Sequence, residues 1–274
     1  MRVPATKKRE PFPLSRMVGW ALAGTVTVLL TVLFFCPAAI LAQQVEKLSG
    51  GQLALGDAQG TLWQGSAIIG GAASKDAPVT PLLPGRFVWH LSPLVLIGKV
   101  ELQLANPEAL SSPVSLTGDW EQWSLSRSSI MLPAERLASL GAPLNSIRPS
   151  GQMRLSWSEL ALKRRGEQVE VSGSTVLELN NIGSAILPGK PLGAYKVAID
   201  WRGQQGDLNL STVTGPLLLN GSGHFQGGHF EFNGRAEAQA GDKDEESRLA
   251  NLLNIMGQRR TEGNKNFIAL EFRQ

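Results

Sequence analysis

The chain is poor in the residue types that usually announce chemistry. Of its 274 residues one is cysteine, one tyrosine and three histidine. The lone cysteine, Cys36, lies inside an apolar run, so an intramolecular disulfide is excluded and burial must hold the protein together. Zinc needs three or four ligands, and no cysteine lies outside that run to complete a site with His90, His224 or His229. His224 and His229 flank Gly227-Gly228 without an HExxH pattern and read as exposed strand-end or turn residues. Charge is sparse at 18%. Five of the 26 basic residues and one of the 23 acidic ones fall in the first sixteen positions, and none of either lies between Met17 and Val45. The remainder, 21 basic against 22 acidic, is balanced and lacks the basic stripe of a nucleic-acid groove.

Catalytic motifs are missing too. Gly60-Thr61-Leu62-Trp63-Gln64-Gly65 has no Lys-Ser/Thr ending and is not a phosphate loop. Gly221-Ser222-Gly223 and Gly173-Ser174 sit between strand-like runs, read as turns, and do not form a nucleophile elbow. Carboxylates are scattered singly. No catalytic, cofactor-binding or metal-binding residue is therefore assigned.

Most conspicuous is an uncharged run. Met17–Cys36 is twenty residues, which as a helix would rise about 30 Å, the depth of a hydrocarbon core. Basic residues precede it, which places the N-terminus in the cytoplasm and the rest of the chain on the far side. The run is long for a cleaved signal, and Ile40 and Ala42 make a poor cleavage site before Gln43. The sequence thus divides into a basic cytoplasmic stub (1–16), a single-pass inner-membrane anchor (17–42) and a periplasmic β-rich domain (43–274).

Period-two alternation dominates that domain. It is clear in Phe87–Leu91, Val100–Leu104, Met153–Trp157 and Val169–Val171. Tyr195, Val197, Ile199 and Trp201 share one face, as do Leu208 and Leu210, then Phe230 and Phe232, and a last strand spans Phe267–Phe272. Thirty glycines supply turns, such as Gly203–Gly206. One wet face per strand argues for an antiparallel sheet. Two segments look helical: Leu132–Leu137, stopping at Gly141, and about Asp242 to Gly257, with Leu249, Leu252, Leu253 and Met256 on one face. The expected fold is mainly β, a curved, elongated antiparallel sheet with a short mid-chain helix and a C-terminal covering helix. Six tryptophans lie beyond the apolar run, most of them core residues by expectation, with one or two left as interface candidates.

Four landmarks carry a resemblance: Gly60–Ala67; Trp89-His90-Leu91 running to Gly98; Leu132–Leu137 with Gly141-Ala142-Pro143; and Pro191–Tyr195 followed by Gly215-Pro216-Leu217 and Gly221-Ser222-Gly223. In this order, with a C-terminal Leu-Leu helix and strand, they resemble the type II secretion system protein N family (general secretion pathway protein N). The resemblance implies a non-enzymatic inner-membrane accessory of the machine that exports folded proteins from periplasm across the outer membrane. Its partners would be other secretion subunits in the inner membrane or periplasm, and membrane lipids around the anchor. A distant likeness to AsmA-like proteins supplies the alternative, a periplasmic lipid-handling or envelope-bridging module. Gly60, Thr61, Leu62, Trp63 and Gly65 form the candidate interface or structural motif, expected as a tight corner.

Overall fold

The computed structural model describes residues 14–51, 53–71, 80–136, 148–166, 168–185, 187, 189–239, 247–250, 252–253, 258–262 and 265–273. It opens with helix α1 (Leu14–Phe34). The chain bends at Phe35–Pro37 and continues as helix α2 (Ala38–Leu48). Proline lacks an amide hydrogen and holds an extended conformation here (φ −70°, ψ 145°), so it ends one helix and stands as N-cap of the next. Residues 38–42, counted with the anchor in the sequence, therefore open α2, whose Ala38 packs against Ala67 and Trp89. Among the described residues, no helix is long and apolar enough to cross a membrane.

The described residues continue as seventeen strands in one open, wholly antiparallel sheet. They are β1 (Leu53–Gly60), β2 (Gln64–Gly71), β3 (Thr80–Pro81), β4 (Phe87–Leu91), β5 (Lys99–Ala105), β6 (Val114–Asp119), β7 (Gln122–Leu125), β8 (Ser128–Pro133), β9 (Pro149–Trp157), β10 (Leu160–Arg165), β11 (Gln168–Ser184), β12 (Gly193–Gly203), β13 (Gln205–Thr214), β14 (Leu217–Gln226), β15 (His229–Ala238), β16 (Gln258–Glu262) and β17 (Lys265–Arg273). The connection is mostly a meander, each strand pairing with the next. At its two ends the order changes: β4 pairs directly with β2, and β17 lies between β15 and β16.

The middle of the sheet is built from split strands. β7 and β8 are two halves of one line, as are β9 and β10. β10 pairs with β7 and the first half of β11, while β9 pairs with β8 and the second half. Ser158 turns the corner by exchanging hydrogen bonds with Ser174, and the Trp157 indole donates to the Ser126 carbonyl at 2.9 Å.

All the alternating runs in the sequence are strands; the apolar set is shielded in β4 and β12, whereas Leu155, Val169 and Phe272 stay exposed. The core lies along the sheet as separate clusters. Phe87, Leu110 and Val114 gather Ile69, Leu125 and Trp157 around them, so strands distant in pairing order meet where the sheet bends over itself. Buried Asn106 organises the loop there: its side chain donates to Pro84 O and accepts from the amides of Glu108 and Ala109. Farther along, Trp201, Phe225, Phe230, Phe232 and Phe272 form a ladder of rings across β12, β14, β15 and β17, with centroids 4.4–6.4 Å apart.

The expected covering helix is present where described, at 247–250 and 252–253. Leu249, fully buried at 0% exposure, and Leu252 close over Leu192 and Leu217; Met256 lies outside the described residues. The mid-chain helix is corrected: Leu132 and Pro133 finish β8, and only 134–136 make a 3-10 turn, with 137–147 outside the described residues. Proline at a strand's last position ends the pairing as well as it could begin a helix. Ser222 and Ser174 are likewise corrected, since both lie inside strands. Gly221 and Gly223 are there because the rings of Phe232 and Phe230 occupy the space a side chain would need.

Candidate functional site

The first landmark is where helix and sheet are joined. Gly60 and Gly65 are paired across the β1–β2 connection, and Gly60 takes a left-handed conformation (φ +86°). A Cβ on Gly60 would meet Gln64 O at 2.4 Å. On Gly65 it would meet Trp89 Cζ2 at 2.4 Å and the carbonyls of Gln59 and Thr61 at 2.8 Å. Thr61 and Gln64 close the turn: Thr61 N donates to Gln64 O (2.8 Å), and Gln64 N donates to Thr61 Oγ1 (3.1 Å). Only glycine fits at both ends of so tight a corner.

The turn holds the foot of α1. A helix leaves its last carbonyls without intrahelical partners. Here the Trp63 indole donates to Leu33 O (2.9 Å), the Leu62 amide donates to Cys36 O (2.8 Å), and Thr61 bridges to Pro37. Trp63 is only 8% exposed. Trp89 repeats the device one strand away, its indole donating to Leu62 O at 3.1 Å. Leu91 N donates to Trp63 O at 2.7 Å, so β4 is tied to the same corner. Beneath it, Leu41 of α2 and Leu55, Leu62, Ala67, Phe87 and Trp89 line an apolar hollow of about 200 Å³.

A polar clasp lies at the β1 irregularity. Asp57 (φ +48°) pairs with Arg86, which also donates to Asp57 O (2.9 Å) and Ser66 Oγ (3.1 Å). Gln59 donates to both Asp57 carboxylate oxygens. That hydrogen bonding, followed by Arg86, holds the Asp57 carboxyl below its ordinary range.

The candidate residues Gly60, Thr61, Leu62, Trp63 and Gly65 are thus brought together at one corner. The histidines are not: His224 stands opposite Glu231 and 2.8 Å from Asp207 Oδ1, whereas His229 stands opposite Gln226. Among the described residues no group of three or more His, Cys, Asp or Glu side chains could hold a metal ion. The fourth landmark is a second corner, on the opposite rim. Buried Tyr195 donates its hydroxyl to Leu217 O at 3.0 Å, burial raises its pKa, and Leu217 N donates to Leu192 O.

Two of the four landmarks thus lie at corners of the sheet. The family model described as type II secretion system (T2SS), protein N, matches residues 51–266. The chain belongs to this family. It is a type II secretion component, and protein N membership implies interaction with other components of that system. The match takes in the Gly60–Gly65 corner and every strand up to β16, and leaves α1 and α2 outside it. No curated protein and no solved structure matches the chain.

Proposed function

We propose that this protein N is a non-enzymatic, single-pass inner-membrane accessory that serves export of folded proteins from periplasm across the outer membrane. In this reading α1 is the anchor, the basic N-terminus is cytoplasmic, and the sheet is a periplasmic scaffold on which neighbouring subunits dock. The uncharged run Met17–Cys36 supports the anchor. So do the outward side chains of α1, with Trp20, Leu22, Val28, Val32 and Phe34 all exposed.

The observation that carries the scaffold reading is the collar. Two hydrogen bonds from Leu62 and Trp63 take up the carbonyls at the foot of α1, so the sheet is clamped to the helix and does not hang from a loose linker. A membrane tether that must present a docking surface at a fixed height needs such a joint. Deletion of the gene, with complementation from a plasmid, tests the reading. Secreted enzymes are expected to accumulate in the periplasm of the deletion strain behind an intact outer-membrane barrier, and complementation is expected to release them. Unchanged secretion overturns the role.

A further inference from the structure

The rim that carries the collar also carries an apolar tip. β4 ends at Leu91, bonded to Trp63, and a 3-10 turn, Pro93–Ile97, follows at once. Leu94 and Leu96 are exposed and Ile97 is 73% exposed. The β6–β7 turn sets Trp120 against this tip: its indole donates to Val95 O at 2.9 Å while the side chain stays 57% exposed. Phe34 and Phe35, at the foot of α1, are exposed as well. The collar links the two through Leu33 O to Trp63, and Trp63 O to Leu91 N.

The tip's backbone turns its polar groups inward. Ser92 Oγ accepts from Leu94 N (3.3 Å), and Ser92 O accepts from Val95 N (3.2 Å). Gly98, in the left-handed conformation, closes the turn by donating to Val95 O (3.2 Å). Trp120 has one donor, and it is satisfied. Internally bonded backbone with outward apolar side chains is what an apolar phase tolerates, because an unpaired N–H is the main cost of carrying a loop into lipid. Mixed charges ring the tip, with Lys99, Lys163 and Arg164 beside Asp119 and Glu121, and all five are exposed.

We propose that the Leu94–Ile97 tip and Trp120 form a second membrane contact, dipping into the boundary between headgroups and acyl chains of the bilayer that α1 crosses. The inference rests on the anchor reading. Continuity with α1 selects lipid as the occupant. The strand that leads into the tip is tied through Leu91 and Trp63 to the residues at which the helix leaves the hydrocarbon, and tryptophan is enriched at that depth. Charge of both signs around the tip, three bases against two acids, means that the contact needs no anionic lipid.

The full-length protein in phosphatidylcholine vesicles, with and without phosphatidylglycerol and with brominated acyl chains, tests this by tryptophan quenching. The emission assigned to Trp120, by difference from Trp120→Phe, is expected to be quenched by shallow bromines more than by deep ones, equally in both lipid mixtures. Trp20→Phe reports α1 in the same way. If Trp20 is quenched and Trp120 is not, the anchor stands and the second contact falls. If neither is quenched, both fall. Loss of Trp120 exposure only when another secretion subunit is added would also overturn the lipid contact and assign the tip to protein. An exposed Trp→Phe change leaves the core untouched, and a circular dichroism spectrum matching the wild type confirms that the variant is folded.

Discussion

Two glycines and one indole nitrogen decide how the helix meets the sheet. Gly65→Ala would push a methyl against the Trp89 ring and two backbone carbonyls that cannot yield cheaply. Gly19→Ala and Gly24→Ala, whose added carbon meets nothing within 4 Å, serve as controls on α1. Melting in detergent should show a clear fall for the first and no loss for the other two, since alanine favours a helix by about 1 kcal/mol over glycine. Trp63→Phe keeps most of the ring and loses the bond to Leu33 O, which retains the longer bond from Cys36 N (3.4 Å), for an expected cost of about 0.5–1.5 kcal/mol. The clasp at Asp57 predicts a pH effect. Its folded carboxyl titrates below the unfolded one, so its contribution is full above the unfolded value of about 3.9 and drains away as pH falls through the folded value. Urea unfolding of Asp57→Asn against wild type should therefore differ at neutral pH and converge in acid.

At the scale of elements, strands with a wet face and an apolar face were readable because the period of two is local. Nine others, β1, β2, β3, β6, β7, β8, β10, β14 and β16, were not. Leu53–Gly60 and Gln64–Gly71 hold too many glycines to alternate, and Gln258–Glu262 is wholly polar. Arg259 and Arg260 look like a helix end until β17 is there to pair with them. The 3-10 turn at Pro93–Ile97 reads as a plain apolar run for lack of a second turn. The corner at Gly60–Gly65 was visible as a corner, but its hold on Leu33, thirty residues before Trp63, leaves no trace in spacing. The covering helix carries its own prediction. Leu249→Ala empties a fully buried site over Leu192 and Leu217 and should cost about 2–5 kcal/mol. Hydrogen exchange should rise first at the Leu217 amide, whose bond to Leu192 O lies beneath it.

For the whole molecule, the two rims have different duties. One carries the collar, the tip and the β10–β11 hairpin end at Arg164-Arg165; the other carries Tyr195, Leu217 and the covering helix. On the proposed reading, the collar rim faces the membrane and the rim under the covering helix points away from it. An alkaline phosphatase fusion after Gln274 is expected to be active, and inactivity would place the domain on the cytoplasmic side. If the collar is structural alone, Trp63→Ala should lower stability and complex co-purification together. Loss of co-purification with folding intact would make Trp63 a docking residue.

The meander also bears on how the protein is made. Most strands find a partner in the segment just synthesised, so a chain delivered N-terminus first can grow its sheet nearly one strand at a time. The final hairpin breaks that sequence, with β17 entering between β15 and β16. Until the nine residues of β17 arrive, the nascent domain ends in a β15 with one free edge, and that interval is when it is most exposed to aggregation or to capture by a chaperone.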